Sequence, residues 1–152
     1  MRLSRSALLL TVVLLATACS AAATPTPSPV QATPPAGSAP IQTVQVKLSD
    51  SLRMDPATMT FRAGQQVHFV VTNMGTTNHE FYLGDESAQM AHDGEMVGMA
   101  GMSQDQAQGI GLMPGETKTI DHTFMAPGAY QAGCHVNGHY TAGMKAMITV
   151  TP

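Results

Sequence analysis

The chain reads as an all-β domain, a sandwich or barrel of short strands, and three observations predict it. Residues 41–152 contain about seven short runs in which apolar and polar side chains alternate. Clusters of Gly, Pro, Asn and Asp separate these runs, as tight turns require. No apolar stripe of helical period interrupts them, except at the start of one long connection in the middle. For strands so closely spaced, an antiparallel arrangement is the economical architecture.

Residues 1–18 stand apart from that domain. Arg2 and Arg5 precede an apolar run over residues 7–16, and small residues precede Cys19, the layout of an export signal. The apolar run is too short for a membrane span. The small residues before Cys19 resemble a bacterial lipobox, with Ala16 where leucine is commoner, so Cys19 is expected to become a lipidated amino terminus and to tether the protein to a membrane. Residues 16–18 would equally serve an ordinary signal peptidase, and both routes place the mature protein outside the cytoplasm. Residues 19–40 are rich in Pro, Ala, Ser and Thr and lack the large apolar side chains a core needs, so they read as an extended tether. At polyproline spacing, that tether reaches on the order of 65 Å.

The domain proper covers residues 41–152. TVQVKLS points Val44, Val46 and Leu48 to one face, and ATMTFRAG closes on a turn at Gly64. QQVHFVVTN, HEFYLG, TKTIDHTF, AYQAGC and MKAMITV supply the remaining strands. Between HEFYLG and TKTIDHTF lies the long connection, residues 85–114, whose length invites a functional role. It carries Met90, Met96, Met99, Met102 and Met113 together with His92, and its start suits a short irregular helix.

Two counts limit the function. With Cys19 assigned to processing, Cys134 is the single thiol of the exported domain, so no disulfide within the domain is available and burial or metal ligation must account for it. The formal net charge is −3, and Lys47, Arg53, Arg62, Lys118 and Lys145 are scattered, which argues against a nucleic-acid partner.

The chemistry concentrates in CHVNGHYTAGM. Cys134 ends an alternating strand, a turn through Asn137 and Gly138 brings His139 back towards it, and the TAG segment brings Met144 beneath the same point. Thiolate, imidazole and thioether are the donors of a blue-copper site, which takes a second imidazole as well. His68, His79, His92, His122 and His135 are the candidates. Alternation turns His68 towards solvent, directs His135 away from the ligand face, and leaves both His79 and His122 on apolar faces. A zinc site fits less well, because structural zinc takes four Cys or His ligands.

The order His79, then Cys134-x4-His139-x4-Met144, with the strand AGQQVHFVVTN and the approach APGAYQAGC, resembles the cupredoxins. Within that family the resemblance is to the auracyanin-like and rusticyanin-like members, and it covers residues 41–152. It implies a Greek-key β-sandwich of two sheets and one type 1 copper held by His79, Cys134, His139 and Met144 beneath a hydrophobic rim. Many cupredoxins carry Asn directly after the first histidine to brace the cysteine loop; here Glu80 follows His79 and Asn78 precedes it, so the bracing residue is open. CHVNGH also resembles the last copper motif of multicopper oxidases, but the paired His-x-His motifs of those enzymes are absent.

The expected protein is an electron carrier and not an enzyme, a monomer that meets redox protein partners through the His139 edge, with Gly138, Tyr140 and Ala142 forming the rim. A second reading makes it a copper-homeostasis protein, with Met96, Met99 and Met102 beside His92 offering a further Cu(I) site. A third keeps the scaffold without the metal, as an interaction domain.

Overall fold

The computed structural model describes residues 40–98 and 105–152. The expected leader, lipid-anchor cysteine and tether lie outside these residues, as do Met99 and Met102.

Among the described residues, nine strands form two sheets. The strands are β1 (Gln42–Ser49), β2 (Arg53–Asp55), β3 (Thr58–Arg62), β4 (Gln66–Asn73), β5 (His79–Gly84), β6 (Gly109–Leu112), β7 (Thr117–Thr123), β8 (Gly128–Gly133) and β9 (Lys145–Thr151), with helix α1 (Glu86–Met96) between β5 and β6. One sheet has the order β2-β1-β4-β7 and the other β3-β9-β8-β5-β6. The sandwich is as expected, but its sheets are mixed. β1 runs parallel to β4, and β3 parallel to β9. Parallel neighbours need a crossover, and the chain makes one each time it leaves a sheet and returns, which local alternation does not reveal.

Alternation predicts the burial where one face meets solvent. In β4, Val67, Phe69 and Val71 are fully buried while His68 and Val70 are half-buried, and in β1 Val46 and Leu48 point inward. Phe69 of one sheet meets Phe81 of the other at 5.3 Å between ring centroids, and Phe61 lies 5.6 Å from Phe124, so aromatic contacts join the layers. Two strands are additional to those expected. β2 is a three-residue pairing against the end of β1, and β6, GIGL, is a short edge strand beside β5 whose two glycines blur its periodicity.

β5 departs from alternation: His79, Glu80, Phe81, Tyr82 and Leu83 are all buried. Helix α1 covers the face that would otherwise meet solvent. Asp85 caps the helix, its carboxylate accepting from the Ala88 N–H at 2.8 Å. The side that faces the sheet carries Gln89, His92 and Met96. That mostly polar stripe is why no helical hydrophobic period shows in the sequence.

Candidate metal centre

Cys134 follows β8 directly and is wholly buried. Its Sγ accepts from the Glu80 N–H at 3.3 Å, and its own N–H donates to the Met144 carbonyl at 3.2 Å. The chain then turns sharply. Asn137 (φ 49°) and Gly138 (φ +75°) both lie in the left-handed region, and the His139 N–H closes the turn on the Val136 carbonyl at 3.0 Å. This is the reversal expected of the Asn-Gly pair. It brings His139 Nδ1 to 3.5 Å from Cys134 Sγ.

His79, the first residue of β5, points Nδ1 at the same sulfur from 3.8 Å. The donor atoms of His79, Cys134 and His139 all lie within 4.8 Å of one another. Met144 is fully buried in the core cluster that contains Cys134, and its N–H donates to the His139 carbonyl at 2.9 Å. Backbone hydrogen bonds therefore tie Met144 to both Cys134 and His139. Of the four side chains only His139 is partly exposed.

The other histidines are elsewhere. His68 pairs with Asp121 on the outer face of its sheet at 2.7 Å, and His122 packs its ring edge on Phe124, 4.5 Å between centroids. His92 and His135 are buried behind the sulfur, as the alternation of the Cys134 strand predicts for His135. Tyr140 differs from expectation. It is 9% exposed, its ring stacks on His135, and its hydroxyl donates to Gln131 at 2.6 Å, so it belongs to the packing beneath the site and not to the rim. Gly138 and Ala142 are exposed as expected.

Three residues brace the site, and local sequence patterns expose only one of them, Glu80, as a candidate. Asp50, in the turn after β1, places Oδ1 3.2 Å from His79 Nε2 and so fixes the ring that offers Nδ1 to the sulfur. Its carboxylate accepts from the Thr76 N–H and from the hydroxyls of Thr76 and Thr77, which hold its pKa well below the usual carboxylate range. Glycine at position 75 leaves room for this carboxylate, which a Cβ there would push aside. Asn73, fully buried, accepts from the Gly75 N–H and donates to the Thr77 and Leu112 carbonyls, setting the loop that delivers His79. Glu80 is the third. One of its oxygens accepts from the His135 N–H at 3.1 Å, so the residue after the first histidine braces the cysteine loop, and Asn78 is exposed.

The electrostatics suit a cation. Burial pushes the Cys134 thiol up to about 12, against the pull of the Glu80 and Val136 N–H groups. Burial, then the neighbouring His79, pushes the His139 pKa down, which keeps its ring neutral and able to ligate. A thiol so disfavoured as a bare anion is one that a bound cation deprotonates. One thiolate, two imidazoles aimed at it and a buried thioether are a soft donor set that fits type 1 copper.

The comparisons with known proteins agree. Residues 42–151 match the family described as copper binding proteins, plastocyanin/azurin family, and the chain belongs to that family. Copper is its cofactor, and the fold and donor set fit one type 1 ion. Among individual relatives, the copper-resistant cuproprotein CopI of Rubrivivax gelatinosus is 37% identical over 109 residues, covering 72% of this chain and 66% of that protein. The protein of the same name from Vibrio cholerae is 30% identical, covering 76% of this chain and 69% of that one. The chain thus spans about two-thirds of the length of these relatives. Among solved structures, dithionite-reduced auracyanin from Roseiflexus castenholzii is 28% identical with a TM-score of 0.63, covering 73% of this chain and 98% of that one. Auracyanin B is 26% identical with a TM-score of 0.61, covering 75% and 91%.

Proposed function

We propose that this protein is an exported one-electron carrier in which His79, Cys134, His139 and Met144 hold a single type 1 copper. The observation that carries this reading is the convergence of two Nδ1 atoms on one buried sulfur within 4.8 Å, with Met144 buried in the same core cluster. Copper supplies a reversible one-electron couple there. The residues supply the rest. Asp50, Glu80 and the backbone of Met144 restrain these donors, which would limit the rearrangement that a change in the charge of a bound ion requires. Four protein donors leave no position for a substrate, which supports a carrier over an enzyme.

The route for the electron is the exposed edge of His139, between Gly138 and Ala142. Met74 and Met113, 63% and 69% exposed, follow Asn73 and Leu112 at the same end and widen the apolar rim for a redox protein partner. The monomeric state, the export and the lipid anchor at Cys19 belong to this proposal. Among the described residues no helix is long and apolar enough to cross a membrane. Mass spectrometry of the mature protein, with or without an acylated Cys19, decides the anchor.

Loading with Cu(II) tests the reading. An intense visible thiolate charge-transfer band is expected, lost in Cys134→Ser and reversibly bleached by a reductant. A colourless complex of equal affinity with and without the sulfur sinks it.

A second reading, copper homeostasis, is favoured by the relatives named as copper-resistant cuproproteins. Met90 is 67% exposed and free to meet a metal, whereas Met96 is 8% exposed within the core and His92 is turned to Glu80. Stoichiometry separates the readings. One reversible copper supports the carrier, and an added Cu(I) that depends on Met99 and Met102 supports homeostasis.

A further inference from the structure

Behind the sulfur lies a second set of polar side chains that metal ligation does not use. Glu80, Gln89, His92 and His135 are each at most 2% exposed. Buried polar groups destabilise a small core unless they are bonded to one another. These are bonded mainly to one another and to the strand backbone, and two of the links, from Glu80 and from Gln89, reach His135, the residue after Cys134. Glu80 donates its N–H to Sγ, accepts from the His135 N–H with Oε2 at 3.1 Å, and accepts from His92 Nε2 with Oε1 at 2.8 Å. The ring of His135 is gripped by Gln89 at 2.8 Å and Asp93 at 3.0 Å, both from α1. On the other flank of Cys134, a Cβ on Gly133 would meet Gln89 Oε1 and the Tyr140 ring. Helix α1 therefore closes on both neighbours of the cysteine.

His92 is the pivot of this arrangement. Its ring lies flat on Tyr82, 3.9 Å between centroids at 8°, and among the described residues its Nδ1 is buried without a hydrogen-bond partner. The nearest carboxylate to Nδ1, that of Glu95, is 3.6 Å away. The bond to Glu80 is thus the one polar link that orients the ring, with Nε2–H donating. Carboxylate, imidazole and peptide N–H form a chain from the helix to the sulfur's own backbone.

We propose that His92 is a positioning residue of the metal centre: acting through Glu80, it clamps the Cys134–His135 peptide to helix α1 and so sets where the sulfur stands. The proposal rests on the copper reading for its effect on colour and potential, but the clamp itself exists without metal. An acceptor-rich Glu80 beside the thiolate also favours the more positive state of a bound redox ion.

The test uses His92→Leu, which keeps volume and removes the donor, His92→Gln, which keeps a donor, and Glu80→Gln, which keeps the shape. In the metal-free protein, amide hydrogen exchange at His135 should quicken about tenfold or more in His92→Leu, the loss expected when a buried hydrogen bond is removed, and recover in His92→Gln. In the copper-loaded protein, His92→Leu should shift the thiolate charge-transfer band, and Glu80→Gln should raise the midpoint potential. Parental His135 exchange, band position and potential in a folded His92→Leu protein overturn the proposal. If that variant does not fold, an unchanged potential together with unchanged His135 exchange in Glu80→Gln overturns it equally. A protein that binds no copper at all removes the copper reading, while the exchange experiment still decides the clamp.

Discussion

Two carboxylates brace the same centre from opposite sides, and they do so in opposite environments. Asp50 faces solvent, with a side chain 39% exposed, and is held by several hydroxyl and N–H donors from Thr76 and Thr77. Glu80 is fully buried and bonded to the His135 N–H and the His92 ring. Asp50 orients a ligand ring, and water can substitute for much of what it does. Glu80 secures the peptide that carries the sulfur, where no water replaces it. Redundant donors on an exposed loop make a tolerant brace, whereas few donors in a dry core make a critical one.

The largest effect expected from this contrast is on the dry side. Glu80→Ala leaves the His135 N–H and His92 Nε2 buried without acceptors and should cost about 4 kcal/mol of folding stability, measured by urea unfolding of the metal-free protein. A cost under about 1 kcal/mol would make the two braces equivalent.

The sulfur itself gives the next prediction, and its sign follows from the raised thiol. The unfolded thiol ionises near 9.0 and burial pushes the folded one up to about 12, so the folded state holds the proton more tightly. Metal-free stability attributable to Cys134 is therefore fully present below pH 9.0 and is lost as pH rises towards 12. Over that window the parent should lose up to about 1.4 kcal/mol per pH unit more than Cys134→Ser. Parallel curves for the two proteins would show that the sulfur is not held in a dry site. Bound copper should abolish the difference, because the ligating sulfur is already a thiolate.

On the wet side, Asp50→Ala frees the His79 ring but leaves the dry brace in place. Copper affinity is expected to fall roughly 10- to 100-fold by competition titration, with the thiolate band retained. Loss of the band would mean that the exposed carboxylate also governs the sulfur. The smallest effect belongs to His68→Ala, which breaks the surface pair with Asp121 and should change stability by less than about 1 kcal/mol and the copper spectrum not at all. A larger change would show that charge anywhere on the domain, and not the bracing geometry, tunes the site.

Much of this centre is legible in the sequence because its parts are local. Cys134, His139 and Met144 recur at intervals of five, and Asn137 with Gly138 announces the reversal between the first two. The strands that face solvent on one side, β1, β4 and β9, show their inward residues by alternation. β5 does not, because helix α1 covers its second face, and that helix is hidden in turn by the polar character of Gln89 and His92 on its buried side. Tyr140 illustrates the same limit, since a tyrosine in an exposed loop reads as rim until His135 is seen beneath its ring.

The sequence by itself determined the donor types, their order, the β-rich domain and the turn that folds His139 back, all properties of residues near one another along the chain. Only the tertiary structure decided that His79 and not His122 lies beside the sulfur, that Asp50 holds it across a separation of 29 residues, and that Glu80 and His92 stand behind the cysteine loop. The physical reason is that periodicity reports which face a side chain takes, whereas a hydrogen bond between distant segments depends on how sheets and helix are stacked, which periodicity does not encode.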